Sequence, residues 1–279
     1  MSEIFQANCS SDASALNPQK PFDVAVIIPT VLRPQLRRAL ESVYAQQSVG
    51  SIQVLIGIDK ALGSRAELDA LILAAPANVH VSVLDPGYST SQRHGGMHAC
   101  FYGGALRTVL SFLANSQYVA YLDDDDWFGP DHLSSMLAVI KNHDWAYSLR
   151  WYAHPQKTIA LCVDLWESVG PDQGAFKEKF GGFVAPSCLM LDKIRCARIM
   201  PLWANSPFPT GDGEDRLIFD ALITNGFRGA ATNQASSYYT IDPNDVNHPV
   251  RLAWMRRQGV SDFEQTCAGP DRLIARARS

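Results

Sequence analysis

The chain has 279 residues, 47% of them hydrophobic and 19% charged, with a formal charge of −4. That length suffices for one large domain or two small ones around a buried core, and the slight acidity excludes the strong basic excess of most nucleic-acid binders. No apolar run reaches the ~18 residues that would span a membrane, and no charged-then-apolar signal layout opens the chain, so a cytoplasmic location is expected. The basic stretch "RLIARARS" (272–279) reads as a solvated or amphipathic terminal helix. Six cysteines, at 9, 100, 162, 188, 196 and 267, include no C-x-x-C pair and read as free thiols in a reducing compartment.

Residues 1–20, polar and Ser/Asn-rich, read as a flexible leader. "FDVAVIIPT" (22–30) is an apolar, β-branched run typical of a strand covered on both faces. Pro34 then opens a helix carrying Leu36, Leu40, Val43 and Gln47 at helical spacing. "IQVLIGID" (52–59) is a second strand, "AELDALILA" (66–74) a helix, and "VHVSVLD" (79–85) a third strand. "GGALRTVLSFLA" (103–114) is a helix, "QYVAYLD" (117–123) the fourth strand, and Pro130 starts a helix reaching about Lys141. Alternating β and α segments predict an α/β fold with a mostly parallel, Rossmann-like sheet flanked by helices. Ligands of such sheets bind at the carboxyl ends of the strands, where Thr30, Asp59, Asp85 and the run Asp123–Asp126 all stand.

After residue 141 the pattern changes to a smaller mixed β/α region. "WAYSLRWYA" (145–153) and "TIALCVDLW" (158–166) read as a hairpin around "HPQK", and "GFVAPSCLML" (182–191) as one further strand. "GEDRLIFDALITNG" (213–226) is an amphipathic helix with Gly226 suited to C′, "GAATNQASSYYTID" is a β segment, and two helical stretches follow. No linker separates residues 21–141 from 142–279, so one continuous globular unit is expected.

The run "DDDD" at 123–126 has a plain reading, a solvated loop that caps the next helix. A buried strand, however, delivers these carboxylates to the ligand edge of the sheet. Clustered hard oxygen ligands suit Mg²⁺ or Mn²⁺, an ion that keeps waters and takes further oxygens from phosphates. "VAVIIPTVLRPQLRRALESVYAQQ", then "VLIGID", then "YVAYLDDDDWFGPDHL" resemble, in that order and spacing, the inverting GT-A-type glycosyltransferases of family 2 over roughly residues 22–141. The resemblance implies a metal-dependent enzyme that takes a nucleoside-diphosphate sugar, with a UDP-sugar favoured. Residues 21–141 would form the nucleotide-sugar half and 142–279 the acceptor half. By position, Pro29, Thr30 and Arg33 would lie by the base or ribose, Asp59 would accept from the base, and Asp124 would sit near the ribose. Asp125, with Asp123 as second choice, would reach the metal through the D-x-D motif.

"YGGALRTVL" resembles the family's K-x-G-A-L-N segment, with Tyr102 where lysine is frequent and Arg107 where asparagine is frequent. Arg107 is therefore a donor contact or a solvated helix arginine. "TGDGEDRL" (210–217) offers Asp212, Glu214 and Asp215 as helix caps. The family's E-D pair falls in this part of the chain, which implies Asp215 as general base and Glu214 as a substrate contact. His94 and His98 lie four apart without the glutamate of a zinc motif, and His248 is a candidate third metal ligand. Trp151, Trp166 and Trp203 are core aromatics or sugar-stacking surfaces.

The acceptor that the resemblance implies would be a carbohydrate, a lipid-linked molecule or a small molecule. Two rival readings differ in what they require of the sequence. A sugar nucleotidyltransferase would carry a Gly-rich basic loop after the first strand, which "IIPTVLRPQL" lacks. A catalytically silent donor-binding protein would have no need of both the acid run and Glu214-Asp215.

Overall fold

The computed structural model describes residues 5–7 and 17–260. The first parallel unit is β2 (Val24–Thr30), α1 (Leu36–Tyr44), β3 (Ile52–Ile58), α2 (Arg65–Leu73) and β4 (Val79–Leu84). α3 (Gly104–Leu113) and β5 (Tyr118–Tyr121) complete it. Strands β4, β3, β2 and β5 lie side by side and parallel. All seven residues of β2 and of β3 are buried, as their unbroken apolar runs require of strands covered on both faces. Alternate residues feed two cores. Val24, Val26 and Ile28 face one with α1 and α2, while Ala25 and Ile27 face the other with Leu110 of α3. Each such Val, Ile or Leu contributes ~1.5–3 kcal/mol relative to an exposed one.

Within the expected leader, β1 (Phe5–Ala7) pairs antiparallel with β4 as an edge strand. Helix α1 starts at Leu36 with Gln35 at its N-cap, so Pro34 stands in the preceding turn. Gln47 does not share the buried face. The helix ends first, and Gln46 is the buried residue, donating to the Gly129 carbonyl at 2.7 Å and accepting from Leu133 N at 2.8 Å.

Beyond β5 come β6 (Trp127–Phe128), α4 (His132–Ile140), β7 (Trp145–Ala153) and β8 (Ala160–Val163). β7 and β8 form the expected hairpin. The expected single strand at 182–191 is two. β9 (Gly170–Pro171), the short α5 (Lys177–Phe180) and β10 (Gly182–Phe183) make a separate two-stranded sheet. Pro186 then opens a 3-10 turn, and β11 (Leu189–Asp192) inserts antiparallel between β5 and β7. Proline has no N–H for a ladder, so the chain changes sheets there. α6 (Glu214–Thr224) leads to β12 (Gly229–Thr240), which runs parallel to β7 and pairs antiparallel with β6.

α7 (His248–Arg257) is held by a buried ion network. Glu167 accepts from Arg150 Nη2 at 3.0 Å, Arg251 Nε at 2.8 Å, Arg251 Nη2 at 3.0 Å and Tyr152 Oη at 2.8 Å. Asp164 takes Arg150 Nε at 2.8 Å, and Asp245 takes Arg251 Nη2 at 2.8 Å. The second expected C-terminal helix lies outside the described residues. Among those residues no helix is long and apolar enough to cross a membrane.

Candidate active site

The strand ends converge as the sequence predicts. The run Asp123–Asp126 is a tight turn between β5 and β6, closed by Asp126 N donating to the Asp123 carbonyl at 3.1 Å. It caps no helix. Thr30, the last residue of β2, donates from Oγ1 to Asp124 Oδ2 at 2.7 Å, and Val31 N reaches the same oxygen at 3.3 Å. Leu32 follows with φ +61, a left-handed conformation that a leucine adopts only when its surroundings enforce it. Its N–H donates to Thr30 Oγ1 at 2.8 Å, and the chain turns so that Arg33 Nη1 meets Asp125 Oδ2 at 2.5 Å and Asp124 Oδ1 at 3.5 Å.

The four acids have separate tasks. Asp126 is buried, accepting from Ser187 Oγ at 2.8 Å and from Thr240 N at 2.9 Å, so it ties the turn to β12. Asp124 is buried and fixed by Thr30. Asp123 and Asp125 are the two partly exposed members, with side chains 30% and 35% accessible. Burial pushes Asp124 and Asp126 above the usual carboxylate range, with neighbouring acids adding to it and Arg33 opposing it at Asp124. Arg38 and Thr240 were not singled out from the sequence. Arg38 Nη2 donates to the Asp125 carbonyl at 2.7 Å and to Thr240 Oγ1 at 2.8 Å, while its guanidinium lies 3.8 Å from the Trp127 ring centroid. The doubled "RR" in α1 was the only available signal for Arg38. Thr240 enters through strand pairing that no local pattern encodes.

Asp59 stands immediately after β3, one residue past its end, and its oxygens are already engaged. Oδ1 accepts from Thr90 N at 2.8 Å and Thr90 Oγ1 at 2.7 Å, and Oδ2 from Ser89 Oγ at 2.8 Å. Pro29 packs against Gly103, where a Cβ would come within 2.7 Å of the proline Cβ and φ is +72. That glycine lets α3 start hard against β2.

α3 thereby presents Arg107, which is not a solvated helix arginine: it is 3% exposed. Nη2 donates to Asp123 Oδ1, while Nη1 donates to Glu214 Oε1 and to the Tyr102 carbonyl, both at 3.0 Å. Burial works against its charge, but Asp123 and Glu214 outweigh it and hold the guanidinium above its usual range.

Glu214 and Asp215 open α6 after Gly213, whose φ of +84 makes the N-cap without any side-chain cap bond. The side-chain capping reading for Asp212, Glu214 and Asp215 therefore does not hold, although Glu214 and Asp215 stand in the first turn, where the helix dipole favours them. Asp212 takes the Thr210 hydroxyl within its own turn, and among the described residues Asp215 Oδ1 accepts from the adjacent Arg216 N alone, at 2.8 Å. Burial and Asp215 push Glu214 up to about 8, against Arg107. Burial also raises Asp215, whose surroundings include Arg107 and Asp123.

The remaining candidates have other surroundings. Trp151 Nε1 donates to the Ala235 carbonyl at 3.0 Å, Trp203 is core against Tyr121, and Trp166 packs on the cluster under α7. His94 and His98 belong to the loop that Asp59 anchors, and His248 is buried at the first residue of α7. Among the described residues no three His, Cys, Asp or Glu side chains gather as a cation site, and the four described cysteines are free thiols. Two partly exposed carboxylates with hard oxygens nevertheless fit an ion that completes its shell with water and substrate phosphate.

The sequence matches the family model "Glycosyl transferase family 2" over residues 101–179, from the loop before α3 into α5. No curated protein matches. Among solved structures, S. aureus TarS superposes with a TM-score of 0.57 at 14% identity, over 88% of this chain and 41% of TarS. The TarS 1–349 complex with UDP-GlcNAc gives 0.56 at 15% identity, over 80% of this chain and 60% of that one. Mannosyltransferase PcManGT from Pyrobaculum calidifontis, in complex with GDP-Man and Mn²⁺, gives 0.54 at 13% identity, over 89% and 67%. The chain thus spans less than half the length of TarS and has a GT-A-like fold, a mostly parallel mixed sheet flanked by helices.

Proposed function

We propose that this chain, matched by the family 2 glycosyltransferase model and built on a GT-A-like sheet, transfers a sugar from a nucleoside diphosphate to an acceptor hydroxyl with inversion. One observation carries the reading. The turn after β5 sets the partly exposed Asp123 and Asp125 beside Thr30 at the end of β2, and buried Arg107 joins Asp123 to Glu214, next to Asp215, at the start of α6. The donor would lie across the ends of β2, β3 and β5, with Pro29, Thr30, Arg33 and Asp124 on its nucleoside side. Asp59 would fix the loop at Ser89 and Thr90 and keep one site on Oδ2 for a base N–H, which suits the UDP-sugar favoured from the sequence.

Asp123 and Asp125 would hold Mg²⁺ or Mn²⁺, whose chemistry is to offset charge on the departing diphosphate. Asp215 would take the proton of the acceptor hydroxyl as that oxygen attacks C1. The C1–O bond to the diphosphate breaks with its electron pair on the leaving oxygen. Burial that raises the Asp215 carboxyl makes it a stronger base toward the hydroxyl proton. Glu214, held by Arg107, would position the acceptor, whether carbohydrate, lipid-linked or small molecule. A nucleotidyltransferase would need a phosphate-cradling glycine after β2, and this chain has none between Thr30 and Leu36.

A thermal-shift panel of nucleoside diphosphates and their sugars, with and without Mn²⁺, tests the reading. A ligand that binds only the native state raises the melting point by mass action. A uridine diphosphate sugar with Mn²⁺ should give the largest rise, and Asp125→Ala should abolish it. No shift from any nucleotide with metal would overturn the donor assignment.

A further inference from the structure

Arg107 stands where the donor side and the acceptor side of the site meet. A guanidinium normally seats its fork on a single carboxylate by two parallel bonds. Here the fork is divided. Nη2 goes to Asp123 Oδ1, Nη1 to Glu214 Oε1 at 3.0 Å, and the buried Nε has no hydrogen-bond partner among the described residues. The two carboxylates come from different elements, the turn after β5 and the first turn of α6. The Trp203 ring, 5.3 Å from the guanidinium carbon, closes one side of the pocket. With Glu214 almost fully buried, no second cation reaches it among the described ion pairs. Arg107 is its sole formal counter-charge there.

A cation divided in this way links its two partners. Whatever withdraws Asp123 leaves Arg107 to Glu214, and whatever neutralises Glu214 leaves Arg107 to Asp123. We propose that Arg107 is a positioning residue, an internal counter-ion that competes with a divalent cation for Asp123 and reports the state of Asp123 to Glu214 beside Asp215. The inference rests on the donor-site reading above, in which Asp123 faces the metal. It gives the acceptor side a means of sensing whether the donor side is loaded.

The test is a double-mutant cycle on the full chain, reading Mn²⁺ affinity by electron paramagnetic resonance with Mn²⁺ alone as the probe. Glu214→Gln should weaken Mn²⁺ binding on the order of threefold to tenfold, because Arg107 then belongs to Asp123. Arg107→Lys, whose single ammonium cannot bridge, should bind Mn²⁺ more tightly than wild type. In the Arg107→Lys background, Glu214→Gln should change Mn²⁺ affinity less than twofold. Arg107→Gln serves in its place if the lysine variant fails to fold. Plain loss of a nearby negative charge would weaken Mn²⁺ equally in both backgrounds, and that outcome overturns the proposal. So does an unchanged affinity in Glu214→Gln. A wild-type chain that binds no Mn²⁺ even with uridine diphosphate overturns the donor-site reading, and this inference with it. Mn²⁺ binding with additive variants overturns the inference alone.

Discussion

Glu167→Gln tests the network that pins α7, and its cost can be worked from the bonds. The Glu167 side chain is 4% exposed and receives four donors, three at Oε2 and one at Oε1. A glutamine placed with its carbonyl at the Oε2 position keeps three bonds but loses their charge assistance. Its NH₂ then opposes Arg251 Nη2, a donor against a donor, although Asp245 still accepts from that nitrogen at 2.8 Å. Charge-assisted bonds contribute ~1.5–3 kcal/mol each, against about 1 for neutral ones. Asp164 and Asp245 still offset the two arginines, so no gross imbalance remains. The sum is a loss of about 3–5 kcal/mol, the range for breaking one partner of a buried pair. At ~2–4 °C per kcal/mol this lowers the melting temperature by on the order of 6–20 °C. Urea unfolding followed by far-UV circular dichroism reads it directly. A Glu167→Gln chain within ~1 kcal/mol of wild type would mean that Asp164 and Asp245 alone satisfy both guanidiniums, and the reasoning would fail.

Two further outcomes are expected. Asp215→Asn should keep nucleotide and Mn²⁺ affinity near wild type while single-turnover transfer falls ~10²–10⁴-fold, since an amide accepts no proton; near wild-type transfer would move the base to Glu214 or Asp212. His132 is fully buried, stacked 3.9 Å from Phe128 with Nδ1 2.9 Å from Ser236 Oγ, and burial lowers it to about 3. Its folded value lies below the unfolded ~6.5, so its stability is present above pH ~6.5 and is lost as pH falls toward the folded value, by up to ~1.4 kcal/mol per unit. Between pH 6.5 and 5 the wild type should lose stability with that slope and His132→Gln should not; parallel profiles would count against a buried neutral imidazole.

The sheet's centre was legible because β2 and β3 are buried on both faces, so their apolar runs carry no ambiguity. The acid run and Glu214-Asp215 were legible as residue types at strand and helix ends. Their division of labour was not. Asp126 differs from Asp125 only through Ser187 and Thr240, which lie far along the chain. Arg107 misleads for a different reason. α3 is apolar on every side, and the structure buries Arg107 and Ser111 while leaving Val109, Phe112 and Leu113 half exposed. Periodicity could not select the inward face of such a helix. The break at Pro186 was visible, but two strands leading into different sheets read as one because the apolar run continues across it.

The bonds that orient the site join residues remote in sequence: 94 apart for Thr30 and Asp124, 107 for Arg107 and Glu214, and 114 for Thr240 and Asp126. Closing such loops is slow, because their entropy is lost before the contacts can compensate. The β2–α3 unit can gain its strands and helices well before Asp126 finds Thr240 or Arg107 finds Glu214. During refolding, then, secondary structure precedes assembly of the candidate site. No fragment cut to the matched residues 101–179 contains Thr30, Glu214 or Thr240. The candidate site belongs to the completed tertiary fold, and a chain stalled short of β12 has the scaffold without it.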